Sequence, residues 1–173
     1  MADHKLGSRP QFLSAIYHSP VSLLAKVIRD GDALILALRD CNESAVHDSL
    51  FNFSVSAFHL VDWVKKLRPD LEQKVNDLLN GSEPLRACRD LANASKHVIL
   101  KLDEGPYKQY PPVLQDAVKR SAPAATSTPN TPALPPQPWR LKVQMQDRTI
   151  RVEEIVEEVI DQWQRFFTDN AIA

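Results

Sequence analysis

The chain has 173 residues, about the length of one average domain, and its 43 % hydrophobic and 25 % charged content is ordinary for a globular protein. Its 21 basic and 22 acidic residues give a net charge of -1, so no overall field draws it onto nucleic acid or a membrane surface. With only 4 glycines, the composition argues against a sandwich or barrel with many tight turns and favours helices.

The first predicted element is a helix that follows a short arm. Residues 1–18 carry little pattern and form the arm. Ser19 and Pro20 have the residue types of a helix N-cap and first helical position. Gly31 interrupts the apolar stripe and favours either close packing or a kink. The apolar residues at helical spacing are Leu24, Val27, Ile28, Leu34, Ile35 and Leu38.

The second helix is predicted from Ala45 to Arg68, because Pro69 disfavours helix at the residue before it. Its apolar band is wide, which is typical of the central helix of a bundle. The band contains Leu50, Phe53, Ala57, Leu60, Val61, Val64 and Leu67, and is widened by Phe51, Val55 and Phe58.

Two shorter helices are predicted next. Asp70 can cap the first, which Gly81 closes. Ser82 begins the second, with Pro84 in its first turn, and this helix runs through LRACRDLANASKH. Its apolar side consists mainly of small residues, so we expect it to approach the bulky second helix closely; these residues are Cys88, Ala92 and Ser95, with Leu91 between them.

The C-terminal part combines strands with a final helix. Residues 98–102 predict a strand or a continuation of the helix, and the proline-rich residues 121–138 predict an exposed insertion. Residues 141–145 and 149–152 predict a hairpin. The last helix has an amphipathic stripe of Ile155, Val156, Val159, Ile160, Trp163, Phe166 and Phe167.

These elements predict a mainly α fold, a four- to five-helix bundle with a small two- or three-stranded antiparallel β element. Residues 19–173 form one helical domain. The start of the chain lacks a signal-peptide core, and no stretch approaches the ~18 apolar residues of a membrane helix, so we expect a cytoplasmic protein without membrane contact. Cys41 and Cys88 lie in segments predicted helical and are interpreted as small buried residues; no metal or cofactor is predicted.

One helix edge gathers residues suited to phosphate chemistry. Arg89, Asn93 and His97 follow one another at i, i+4 steps, and Lys96 lies on the same side. Histidine exchanges protons near neutral pH, and arginine binds a phosphate through two parallel hydrogen bonds. The alternative interpretation is a solvated helix face with a charged end.

A second set lies on the preceding long helix. Asp62 is at helical spacing from Phe51, Val55 and Phe58, which predicts that it falls within the apolar band, and His59 lies on a neighbouring face. A buried carboxylate needs a partner, so we interpret Asp62 either as a core-edge residue paired with the opposite helix or as part of one niche with the 89–97 edge.

Two resemblances bear on function. FHLVDW and CRDLANASKH on successive helices resemble a group of uncharacterised bacterial and phage-associated proteins over most of residues 45–167. A bundle with Arg and His on one helix more distantly resembles the HEPN superfamily, whose members are commonly metal-independent endoribonucleases. Its motif is Arg, a polar residue, and His four to six residues further on; here Asp90 follows Arg89, but seven residues separate Arg89 from His97.

The HEPN resemblance implies that His97 transfers the proton for attack by a ribose 2′-hydroxyl, that Arg89 stabilises phosphate charge, and that two copies form the site as a homodimer. Asn93, Lys96, Asp62 and His59 would support it. Two hypotheses follow. The first is a non-catalytic helical interaction module of a bacterial or phage-related, defence-type system, with a protein or RNA partner. The second is a HEPN-like ribonuclease that uses Arg89 and His97.

Overall fold

The computed structural model describes residues 16–96, 114–121, 140–145 and 148–173, and the side chains of residues 16–94, 141–145 and 148–173. Within these ranges five α-helices, a short 3-10 turn and a three-stranded antiparallel sheet confirm the mainly α bundle with a small β element. The elements are α1 (Pro20–Arg39), α2 (Glu43–Leu67), the 3-10 turn (Pro69–Leu71), α3 (Glu72–Gly81), α4 (Glu83–Lys96), β1 (Leu114–Ser121), β2 (Arg140–Met145), β3 (Thr149–Arg151) and α5 (Val152–Asp169).

The helix starts follow from local capping. The Ser19 hydroxyl accepts the backbone N–H of Ser22 at the start of α1, as predicted. Asn42 caps α2 by accepting the N–H of Ala45. Ser82 Oγ accepts the N–H of Leu85 at 3.1 Å and begins α4, again as predicted.

The predicted cap of the third helix is wrong. The Asp70 carboxylate accepts from Arg68 Nε and Nη2 at 2.9 and 2.8 Å instead of capping a backbone N–H. This hydrogen bond with Arg68 holds the pKa of Asp70 below its usual value. The α3 N-cap position is Leu71, which makes no side-chain cap. The ion pair with its near neighbour therefore replaces the cap.

The prediction for Cys41 is also wrong. Cys41 lies in the turn between α1 and α2, with a positive φ of 53°, and is only half-buried. It sits outside the helix because Asp40 is already the C-cap of α1. Cys88, by contrast, is fully buried in α4.

Helix α2 is central, since it packs against α1, α3 and α4. Helix α5 contacts α1, α4, β2 and β3 and closes the core. Gly31 permits the close approach of α1 to α5: a Cβ there would lie 2.9 Å from Val156 Cγ1 and 3.0 Å from Ile160 Cδ1. Of the two alternatives for Gly31, close packing is confirmed.

The sheet has the order β1-β2-β3, with Val143 opposite Ile150 in the predicted hairpin. The buried side chains of β2 face α5. Strand β1 was not predicted. It pairs with β2 from Leu114–Met145 to Ser121–Arg140, with two register irregularities. The strand predicted at 98–102 and residues 122–138 of the insertion lie outside the described residues.

Candidate functional site

The two segments proposed to form a niche do lie on helices that pack together. The small residues Cys88 and Ala92 of α4 are buried, and α4 contacts α2 as expected. The pKa of the Cys88 thiol is raised to about 12, mainly because the thiol is buried; the Ser54 hydroxyl of α2 partly opposes this rise and the Asp90 carboxylate adds to it. Cys88 and Ser54 therefore mark the α2–α4 contact.

Arg89 lies inside the protein and not on a polar edge. Its side chain is 1 % exposed, and that of Asp90 is 0 % exposed. Both Nε and Nη2 of Arg89 lie 2.9 Å from Asp90 Oδ1, and both residues take part in further interactions. The prediction of an exposed edge is wrong here, because the guanidinium and its neighbouring carboxylate neutralise each other and can be buried together.

The other members of the 89–97 set are placed differently. Asn93 is half-buried on α4 and takes part in an interaction of its own. Lys96 is the last residue of α4, but its side chain lies outside the described residues, as does His97. A meeting of His97 with Arg89 stays a prediction.

Asp62 and His59 are exposed on the side of α2 that faces away from the core. The prediction that Asp62 falls within the buried band is wrong. Of the residues that defined its face, Phe51 is 48 % exposed and Val55 is partly exposed, while Phe58 is partly buried and packs against the edge of the core. Leu67, which was predicted in the same apolar band, is also 48 % exposed. The buried band of α2 is formed by Val46, Leu50, Phe53, Ser54, Ser56, Ala57, Leu60, Val61 and Val64.

Helix geometry explains the difference. Asp62 is two residues from each of the buried Leu60 and Val64, and two residues turn an α-helix by about 200°, so Asp62 lies nearly opposite both of them on α2. Asp62 and His59 are thus exposed on the outer side of α2, whereas Arg89 is buried in α4. A supporting role of Asp62 and His59 in a site at Arg89 and His97 stays a prediction.

The outer side of α2 carries both apolar and charged side chains. Its apolar residues were predicted to belong to the buried band. We call it the outer α2 surface and define it by Asp48, Phe51, Val55, Phe58, His59, Asp62 and Lys66. The positions of these residues around the helix axis could have identified the surface from the sequence, because they lie opposite the line through Leu50, Phe53, Ala57 and Val64.

A polar cluster between α1 and α2 was also missed. Lys26 Nζ donates to Asp30 Oδ2 and, at 2.9 Å, to Ser56 Oγ, which itself donates to Asp30 Oδ2 at 2.6 Å. Lys26 thus acts only as a donor, and the Ser56 proton is already held by the carboxylate. This arrangement crosslinks the helices and does not activate a nucleophile.

A cavity of about 390 Å³ lies at one end of the bundle, beside the start of α1 and the end of α2. Arg68 lines it, but its guanidinium is bound to Asp70. The lining residues are His18, Ser19, Pro20, Leu67, Arg68, Ala171, Ile172 and Ala173.

Among the described residues, no group of three or more His, Cys, Asp or Glu side chains is placed to hold a metal ion. No helix in the same part of the chain combines the length and apolarity needed to cross a bilayer. Comparisons of the chain with protein-family models, curated proteins and solved structures found no match. The resemblances to the phage-associated group and to the HEPN superfamily stay predictions.

Proposed function

We propose that this protein is a non-catalytic helical module that works by binding another protein through the outer α2 surface. The observation that carries the proposal is the burial of Arg89 against Asp90. A guanidinium that is 1 % exposed and bound to a carboxylate cannot also clamp an RNA phosphate without breaking a buried ion pair. The residue best suited to catalysis is thus used to hold the fold together.

The outer α2 surface has the composition of a protein-binding face. Phe51 is 48 % exposed, and Val55 and Phe58 are partly exposed beside it. Aromatic side chains are enriched at protein interfaces because they bury much apolar area at low entropic cost. Its charges, Asp48, Asp62 and Lys66, do not form the basic stripe that nucleic acid requires.

In-cell photo-crosslinking tests the module. A benzophenone amino acid in place of Phe51 should give a discrete protein adduct, and adding Val55→Asp should abolish it. The matched control is the same amino acid at Leu36, which is 57 % exposed on α1 and outside the surface. Adducts of equal yield from both positions, or from neither, would contradict the proposed surface.

The alternative, a HEPN-like metal-independent ribonuclease using Arg89 and His97, is tested separately. Purified protein is incubated with mixed single-stranded RNA in the presence of a chelator, beside a His97→Ala variant. The module leaves the RNA intact in both samples. Cleavage by the parent protein that is lost in His97→Ala would overturn the non-catalytic proposal.

A further inference from the structure

The outer α2 surface carries opposite charges near its two ends, and this arrangement indicates what kind of partner it binds. Asp48 and Lys66 are both exposed and are 18 residues apart. Eighteen residues at 3.6 per turn are five turns, about 27 Å along the axis, so the two side chains project from the same line of the helix. Within the described residues neither makes an ion pair or hydrogen bond.

We infer that the protein bound by this surface is a second copy of the same chain, with the two α2 helices antiparallel about a two-fold axis that crosses the outer α2 surface at the level of residue 57. This inference rests on the proposed function and names its partner. In a two-fold antiparallel pair, a residue meets the one at the equal and opposite distance from the axis. Asp48 and Lys66 are each nine residues from Ala57. The Asp48 side chain of each copy therefore faces the Lys66 side chain of the other, which gives two symmetric ion pairs in the dimer.

The apolar residues support the same axis. Val55 lies two residues before Ala57, so the axis brings it to the level of the partner's His59, with the partner's Phe58 one residue away near the middle of the contact. Asp62 comes to the level of the partner's Asn52, so the arrangement puts no like charges opposite each other. A parallel pair would instead place Asp48 against the partner's Asp48, and lysine against lysine, which is repulsive.

The extent of the surface sets the strength of the contact. One helix face about 27 Å long is small beside a stable interface, which buries roughly 800 Å² on each partner. The dimer is therefore weak and forms only at high protein concentration. This association uses α2 and is distinct from the dimer of Arg- and His-bearing helices that the HEPN resemblance implies.

Charge reversal tests the pairing. Sedimentation of the full chain at rising concentration, at low salt, should show monomer converting to dimer. Asp48→Lys places lysine against the partner's lysine, and Lys66→Asp places aspartate against aspartate, so each should weaken dimerisation about tenfold or more. The double variant Asp48→Lys/Lys66→Asp should recover it, and mixing the two single variants should give a heterodimer.

The matched control is Asp32→Lys, the same charge change at an exposed position of α1, which should leave the association unchanged. Unchanged circular dichroism and melting temperature would establish that each variant is folded. A chain that stays monomeric throughout, single variants that associate like the parent, or a double variant that does not recover would overturn the inference. A Phe51 crosslink to a protein of another mass would overturn it while keeping the proposed function.

Discussion

The two cysteines differ in burial and therefore in reactivity. Cys88 is fully buried and burial raises its thiol pKa to about 12, whereas Cys41 is half-buried in the turn after α1. Only the thiolate attacks a disulfide reagent. We expect one thiol per chain to react with Ellman's reagent at pH 8 in the native protein and two in denaturant. Fast reaction of both thiols would contradict the packing of α4 on α2, and protection of both would contradict the half-buried position of Cys41.

The raised pKa of Cys88 also makes stability depend on pH. Its folded pKa lies above the value of 9.0 for a free thiol, so the unfolded chain releases this proton first as the pH rises. The contribution of Cys88 to stability is complete below about pH 9 and is lost as the pH rises towards 12. Comparing the free energy of unfolding between pH 8 and 11 with that of Cys88→Ala isolates this slope, which the variant should lack.

The Arg89–Asp90 pair is predicted to be structural. Removing one member of a buried pair leaves the other charge without its main partner, so Arg89→Met and Asp90→Asn should each cost about 3 kcal/mol in denaturant unfolding. Because the two residues interact directly, Arg89→Met/Asp90→Leu should cost less than the sum of the single changes. Additive losses would show that the pair is not the interaction that holds Arg89.

The same pair shows where sequence reasoning fails at the residue scale. The helix that carries Arg89 and Asn93 was predicted correctly, but a charged residue type favours a surface position only on average. Arg89 and Asp90 are adjacent in sequence and bury each other, a pairing that no helical periodicity reveals. Ser19 and Ser82, whose capping role depends on local backbone only, were predicted correctly.

At the scale of elements, Gly31 and Gly81 form a natural comparison. Alanine favours a helix interior over glycine by about 1 kcal/mol, which applies in full at Gly31 within α1 and only in part at Gly81, the last residue of α3. At Gly31 the new Cβ would meet Val156 Cγ1 at 2.9 Å, while at Gly81 nothing lies within 4 Å. Since overpacking costs about 1–3 kcal/mol, Gly31→Ala should lower the melting temperature and Gly81→Ala should raise it slightly. Equal shifts would mean that α1 and α5 do not pack through Gly31.

Helix α2 explains why its length but not its faces could be predicted. It was predicted from Ala45 to Arg68, with Pro69 as its end signal, and the structure has it from Glu43 to Leu67, within two residues at each end. Its sequence is apolar around most of its circumference, so composition does not show which face is buried. The packing of the neighbouring helices decides which face of α2 is buried. Helices α1, α3 and α4 cover one side and leave Phe51 and Asp62 exposed on the other.

Strand β1 was missed for a related reason. Its sequence, LQDAVKRS, has neither clean alternation nor a β-branched run, and two register irregularities interrupt its pairing with β2. Strands β2 and β3 alternate and were predicted. A strand with a weak pattern of its own is specified by the edge it pairs with, here the ladder from Met145 to Arg140, and a single sequence does not show that edge.

At the scale of the whole molecule, the long connection from β1 to β2 should be dispensable for the fold. Ser121 pairs with Arg140, so the segment 122–139 leaves and re-enters the sheet at adjacent strands. Its proline-rich composition lacks the apolar bulk that a core needs. Deleting residues 122–137 should therefore leave the melting temperature nearly unchanged.

A second deletion variant separates the loss of the proline-rich segment from the effect of a poor turn at the junction. After deletion of 122–137, Pro138 and Trp139 would have to turn the hairpin, and proline cannot adopt the positive φ of a tight two-residue turn. Replacing 122–139 by Asn-Gly supplies that turn and lowers the entropic cost of loop closure by about 0.6 kcal/mol for each halving of its length. We expect this variant to melt at or a few degrees above the parent temperature. A loss of about 10 °C or more in both variants would mean that the proline-rich segment itself packs on the bundle, because the shared effect could not come from the turn.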